Sequence, residues 1–392
     1  MNLSKDSPRE RLDLLNKHLE DRQIDLALIS DPKHIFYFAG LLTFKFRFTS
    51  FLLVNARNGK STIFLGKSEE EKARKVFNGE IETFEDYNLN QRMIAYPNFV
   101  SEEFDKKLGS VIKESVRNGN EKRVGIEFWH LPRQYVLAIE RQFGRDAALD
   151  NLSEYVLSLR KTKGSDEIKD HQASTARLDF AYKVAKENTM IGRTENEVYR
   201  EVNYSVTKEF GPFSFAEMHN IIGDYVSGPR TLEMGGPPTG RKLRRGDAVI
   251  LDLQACVHGH WSDLARTFIV KKKANEKQKK LFNAIVHAKK KAEELLKPGT
   301  ICSDIYRSIS KEIRNAGYSD FLPHHAGHGL GLEDQEPPFF LPFSQDRLEP
   351  GVVCALEPGI YSKEASGMRF EDNYIVTEDG YEKLSKYPIT LS

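Results

Sequence analysis

The sequence predicts a small α/β unit followed by a larger α+β unit, and three observations carry that prediction. Over residues 1–158, short apolar runs alternate with charged helical stretches. A polar connector, Leu159 to Glu167, then interrupts the alternation, which places the boundary near Ser158. Over residues 159–392, amphipathic helices are interleaved with apolar runs, the pattern of helices packed on a largely antiparallel sheet.

In chain order, Asp25 to Ser30 and Ser50 to Asn55 read as strands of the first unit, with Tyr37 between them a core residue. Phe44-Lys45-Phe46-Arg47-Phe48 alternates aromatic and basic residues, as a strand with one solvated face does; a substrate-facing loop is the alternative. Beyond the connector, Leu178, Ala181 and Ala185 share a helical face, and Thr194-Glu195-Asn196-Glu197 is a capping box that opens another helix. Leu281, Ala284, Ile285, Ala288, Ala292 and Leu295 recur at three- and four-residue steps until Pro298-Gly299 ends a third. Its Lys289, Lys290 and Lys291 are read as a solvated face. Strand-like runs cover Ala248 to Leu253, Arg266 to Val270, Val352 to Leu356 and Arg369 to Val376. No internal repeat or low-complexity segment is found.

The 392 residues suffice for two domains, and 39% hydrophobic with 29% charged residues is a globular balance. The formal net charge of +1, from 58 basic and 57 acidic residues, supplies no field that would gather nucleic acid or an anionic membrane. The polar N-terminus and the lack of a run of transmembrane length lead us to expect a cytoplasmic protein. Cys256, Cys302 and Cys354 stand far apart with no CxxC pair and are expected to be small core residues.

The chemistry-bearing residues lie in the second unit. Gly246 to Leu253 reads as a strand carrying Asp252 at its end, and Asp263 follows eleven residues later. A turn at Val257-His258-Gly259-His260 would fold the second strand back and bring both aspartates together. Alone, each serves equally well as a partner of Arg266 or a turn cap. In His324-His325-Ala326-Gly327-His328-Gly329, the glycines allow close backbone approach and exclude the helical HExxH zinc arrangement. Glu357 closes one apolar strand and Glu371 is read inside another. A glutamate buried there needs a cation, and Arg369 is the plain candidate for either one.

Taken together, these motifs resemble the pita-bread metallopeptidase family M24, which includes aminopeptidase P, prolidase, methionine aminopeptidase and creatinase. Asp25 to Gly40 is similar to its creatinase-like N-terminal domain and Leu159 to Glu167 to its interdomain connector. The resemblance implies a creatinase-like α/β domain over 1–158 and a pita-bread catalytic domain over 159–392. Each of the family's five metal-ligand positions holds the expected residue type: Asp252, Asp263, His328, Glu357 and Glu371. Four converging carboxylates would repel by roughly 4 kcal/mol per pair at 4 Å and an effective dielectric of 20. Two divalent cations cancel them, and oxygen and imidazole ligands suit Mn²⁺, Co²⁺, Zn²⁺ or Fe²⁺ alike. Such a pair would activate a bridging water. By the same resemblance, Glu357 accepts the water's proton, Arg369 orients the carboxylates, and the protein is a homodimer.

Family members that cleave before proline carry further histidines that bind the scissile carbonyl or the substrate carboxylate. His324 matches one of those positions, whereas Gly235 and Gln335 occupy two others. A glutamine still donates a hydrogen bond but carries no charge and relays no proton. The expected function is hydrolysis of a C–N bond in a short peptide, of the Xaa-Pro dipeptidase or aminopeptidase type. Two alternatives stay open: action on another small molecule, in the manner of creatinase, ectoine hydrolase or a lyase of the same fold, and a non-catalytic binding module.

Overall fold

The computed structural model describes residues 5–42, 50–85, 87–88, 93–94, 106, 109–110, 123–131, 133–143, 148–211, 221–318 and 323–391. The aromatic and basic stretch Phe44 to Phe48 lies outside these residues. The chain divides into two compact units, Met1–Leu159 and Arg160–Ser392.

The first unit is built on a six-stranded sheet. Its strands run in the order Glu80–Phe84, Lys60–Gly66, Phe51–Asn55, Leu26–Ile29, Arg123–Ile126, Ala148–Asn151. The central pair Leu26–Ile29 and Phe51–Asn55 is antiparallel, and parallel pairs lie toward both edges. Leu26, Leu28, Phe51, Leu53 and Phe64 face Tyr135 and Ile139 of the helix Arg133–Phe143 in one apolar core. Tyr37 is buried, as its place in the sequence implies, and its hydroxyl donates to Leu159 O.

In the second unit every strand pairing is antiparallel among the described residues. One sheet comprises Ile222–Ser227, Ala248–Val257 and His260–Ile269. Its last two strands are a hairpin in which His258 (φ 45°) and Gly259 (φ 85°) make the left-handed two-residue turn that suits strand twist. A five-stranded sheet follows the order Glu336–Phe339, Gly327–Gly329, Val353–Leu356, Asp372–Val376, Tyr381–Lys383. A further hairpin joins Gly359–Ser362 to Ser366–Arg369. The helices Ser165–Asn188 and Glu195–Phe210 bury Leu178, Ala181, Ala185 and Val198 against the first sheet. The helices Glu276–Glu293 and Cys302–Asn315 bury Leu281, Ile285 and Ile309 against the others. The capping box forms as read: Thr194 Oγ1 accepts from Glu197 N at 3.2 Å, and the Glu197 carboxylate accepts from Thr194 N at 2.7 Å. All three cysteines are buried thiols. Among the described residues no helix is long and apolar enough to cross a membrane.

Two local readings are corrected. Lys289 is not on a solvated face; it is 1% exposed, with Nζ 2.7 Å from Asp372 Oδ2 and 2.8 Å from Glu293 Oε1, while Lys290 is exposed. A lone apolar stripe cannot reveal that the sheet beneath the helix carries a buried carboxylate requiring a cation. Arg369 to Val376 is not one strand: it breaks at Phe370-Glu371, where the chain leaves the short hairpin and enters the five-stranded sheet. At the break Glu371 N donates to Ala265 O of the neighbouring sheet, which turns the Glu371 side chain into the space between them.

Candidate metal centre

The hairpin register sets the first two acids. Asp252 pairs with Ala265 and Asp263 with Gln254, so the aspartates are diagonal neighbours on one face. Gln254 Nε2 donates to Asp263 Oδ2 at 2.8 Å, leaving Asp263 Oδ1 buried with no hydrogen bond. Asn373 clamps the backbone of this residue from the adjoining sheet. Its Oδ1 accepts from Asp263 N at 3.1 Å and its Nδ2 donates to Asp263 O. Below that clamp, Arg266 donates to the Glu371 carbonyl and pairs with the buried Asp372 at 2.6 Å. Arg266 is therefore committed to Asp372 and does not neutralise Asp252 or Asp263.

His328 comes from the short central strand between Glu336–Phe339 and Val353–Leu356. A Cβ at Gly327 would stand 2.1 Å from Ala355 O, so only glycine lets the strands meet there. His328 Nδ1 lies 3.0 Å from Gly329 O. A carbonyl only accepts, so Nδ1 carries the hydrogen; burial lowers the ring's pKa and keeps it neutral. The remaining lone pair, on Nε2, faces Glu357 Oε1 at 3.6 Å and both Asp263 Oδ2 and Glu371 Oε1 at 3.9 Å.

Two clusters of side chains result: Asp263, His328 and Glu371, all buried, and Glu357 with His324 and His325. Asp252 stands beside the first, with Oδ2 2.5 Å from Arg369 and Oδ1 buried without a hydrogen bond. Both oxygens of Glu371 are likewise buried without one, and Glu357 Oε1 faces the His325 imidazole at 3.0 Å. Unpaired carboxylate oxygens cost several kcal/mol each in such a setting, and this donor set, carboxylates plus one neutral imidazole nitrogen, is what a hard-to-borderline divalent cation binds. The residues fit the metal that the resemblance implies.

The titration behaviour agrees. Burial, reinforced by neighbouring carboxylates, pushes Asp263 and Glu371 well above the ordinary carboxyl range in the metal-free chain. Burial alone would raise Glu357 too, but the adjacent histidines outweigh it and hold that carboxyl low. His325 Nδ1 lies 3.0 Å from Glu357 Oε1, and Glu357 and Gln335 hold its pKa above the ordinary value against burial. His324 is engaged at both nitrogens, with His325 O at 2.7 Å and the Tyr361 hydroxyl at 3.0 Å.

Every candidate catalytic, substrate-binding or metal residue read from the second unit is therefore near this centre except Gln335, which is exposed and reaches it through His325. Gly235 borders it through Asp224, whose carboxylate fills the space a side chain at 235 would take. The sequence reading placed His325 in the histidine cluster without giving it a role, and it missed Tyr361, Asn373 and Asp224. His325 was legible as the neighbour of His324. The other three carry no local signal, because their roles depend on strand register.

Residues 169–378 match the metallopeptidase family M24, and residues 11–162 match the creatinase/prolidase N-terminal domain. The chain is 30% identical over 376 residues to an uncharacterized peptidase of Staphylococcus epidermidis, covering 95% of this chain and 98% of the relative. It is 27% identical over 379 residues to the Xaa-Pro dipeptidase of Pyrococcus furiosus, covering 96% and 98%. Among solved structures, the Xaa-Pro dipeptidase from Bacillus anthracis superposes with a TM-score of 0.83 at 25% identity, covering 98% of this chain and 99% of that one. The prolidase from Pyrococcus horikoshii superposes with a TM-score of 0.81 at 25% identity, covering 98% and 100%.

Proposed function

Because this chain belongs to the metallopeptidase family M24, with a creatinase-type N-terminal domain ahead of a pita-bread catalytic domain, we propose that it hydrolyses the amide bond before proline in a short peptide. The domains of that reading are 1–158 and 159–392. The observation that carries it is the convergence of Asp263, Glu357 and Glu371 on the one lone pair of His328, with Asp263 Oδ1 and both Glu371 oxygens buried without a hydrogen bond.

In this reading Asp252, Asp263, His328, Glu357 and Glu371 hold two divalent ions, Mn²⁺, Co²⁺, Zn²⁺ or Fe²⁺. Bound ions of this kind supply Lewis acidity that lowers the pKa of a water and polarises a carbonyl. Glu357 Oε1 accepts the water's proton, and His325, 3.0 Å away, stabilises or relays it. Arg369 holds Asp252 in place. His324 donates from Nδ1 to His325 O, so its Nε2 accepts from the Tyr361 hydroxyl and orients it; that hydroxyl is the group that turns to donate to a substrate carbonyl or carboxylate. The reading includes a homodimer, and a cytoplasmic location in keeping with three buried free thiols.

Metal analysis of the purified protein and an Xaa-Pro peptide panel test it. About two ions per chain and turnover of at least one prolyl dipeptide are expected; a fully metallated protein inert across the panel refutes the peptidase assignment. Gly235 and Gln335 favour a second reading, hydrolysis of a small cyclic amide or ureido compound on the same centre. Gln335→His separates the two: prolyl-peptidase activity rises if the altered shell alone limits it, and stays level or falls if the pocket serves another molecule.

A further inference from the structure

Strand register places a fifth acid beside the four carboxylates of the candidate centre. Asp224 of Ile222–Ser227 is the direct cross-strand partner of Asp252, so the two side chains project from the same side of the sheet. An ideal Cβ at Gly235 would lie 1.8 Å from Asp224 Oδ2. Position 235 therefore accepts no side chain while Asp224 keeps this rotamer, and a carboxylate takes the place of any donor from that position.

Exposure orders the acids from the floor of the site to its rim. The side chains of Glu371, Asp263, Glu357 and Asp252 are 1, 5, 7 and 16% exposed, and that of Asp224 is 38%. Asp224 thus lies at the rim, on the solvent side of the four ligand carboxylates, where a substrate group extending away from the reacting bond would pass. Its nearest cation, Arg369 NH2, is 3.8 Å away and already bound to Asp252 at 2.5 Å. Two divalent ions would balance the four carboxylates among the five ligands, which leaves Arg369 as the counter-charge of Asp224, but that guanidinium lies 3.8 Å away and is bound first to Asp252, so Asp224 at the rim is only loosely paired. Like charges directly opposite each other on a sheet are unfavourable, and a substrate cation relieves the pair.

We propose that Asp224, in the space left by Gly235, is a specificity-determining residue that selects substrates with a long cationic side chain, of the lysine or arginine type, on the residue before the cleaved bond. The inference rests on the prolyl-peptidase reading for the bond but not for the charge preference, and one substrate pair separates them. Lys-Pro and norleucyl-Pro have side chains of similar length and differ in the side-chain charge.

With the metal-loaded wild type, KM for Lys-Pro is expected to be roughly five-fold below that for norleucyl-Pro, the scale of a partly exposed ion pair, and the gap narrows with added salt. Asp224→Asn brings the ratio near one. Asp224→Glu retains part of it, and Gly235→Ala, whose Cβ displaces the carboxylate, lowers it. If neither peptide turns over, calorimetric binding of the same pair reads the same ratio, so a charge-dependent gap without turnover removes the peptidase reading and keeps Asp224. A Lys-to-norleucine ratio that is identical in the wild type and Asp224→Asn overturns the proposal, whether or not turnover is seen.

Discussion

Replacing Glu371 by glutamine should stabilise the metal-free protein and weaken its response to metal. Glu371 and Asp263 belong to one buried cluster whose ligand atoms lie within 4.8 Å of one another. Two full charges at that distance repel by about 3.5 kcal/mol at an effective dielectric of 20. Protonation caps this cost in the metal-free chain, because both carboxyls are pushed well above their ordinary range and one of them takes up a proton instead. The relief from Glu371→Gln is then about 1–3 kcal/mol. At roughly 2–4 °C per kcal/mol for a unit of this size, the Tm in chelator should rise by roughly 2–12 °C. Metal at 100 times its Kd adds about 2.7 kcal/mol per site to the wild type, and the variant should lose most of that increment. Thermal unfolding of both proteins, with excess chelator and with Mn²⁺, reads all four values. A variant less stable than wild type in chelator, yet equally stabilised by Mn²⁺, would refute the view that Glu371 is held in a strained, metal-awaiting state.

Three further outcomes follow from the same geometry. Asp263 and Glu371 have raised folded-state pKa values without metal, so their contribution to metal-free stability is greatest at acid pH and is lost as pH rises through those values; metal binding demands the deprotonated forms. The Mn²⁺-induced rise in Tm should therefore shrink steadily as pH falls from neutral toward the ordinary carboxyl range, and a pH-independent increment would contradict this. Asn373→Ala removes both bonds to the Asp263 backbone and should weaken metal affinity by roughly 10- to 100-fold while leaving the fold cooperative, as calorimetric titration can check. Glu336 is buried between Arg160 and Lys163; burial opposes its ionisation, but the two cations hold its carboxyl down to about 2. Its depressed pKa gives stability that is present above 4.5 and lost as pH falls toward 2. Glu336→Gln should cost about 3–5 kcal/mol at neutral pH in denaturant unfolding, because it removes the buried carboxylate that Arg160 and Lys163 both pair with.

The candidate metal ligands were legible from sequence only as a set: each aspartate alone could be a partner of Arg266 or a turn cap and each glutamate a partner of Arg369, and it was their joint order, residue types and charge balance that pointed to a metal. Asp252 and Asp263 could even be placed on one face, since a two-residue turn at His258-Gly259 leaves the hairpin a single register. Arg369 was equally legible as a cation near the acids, although periodicity alone offered it to the glutamates, whereas its closest pair is Asp252.

What sequence periodicity alone could not supply was the pairing of one strand with another far along the chain. Arg266 looked like a partner for nearby aspartates, but tertiary packing gave it to Asp372, more than a hundred residues later, where it braces the two segments that carry Asp263 and Glu371. Lys289 looked solvated until a buried carboxylate beneath the helix claimed it. Gly235 read as an absence, and the register of Ile222–Ser227 against Ala248–Val257 turned that absence into a carboxylate. Local propensity and the residue types themselves determined which chemistry this chain carries, because strand ends, turns and glycines act over a few residues. Only the folded structure decided which charges share a dielectric cavity, because that depends on contacts between segments whose separation along the chain leaves no periodic trace.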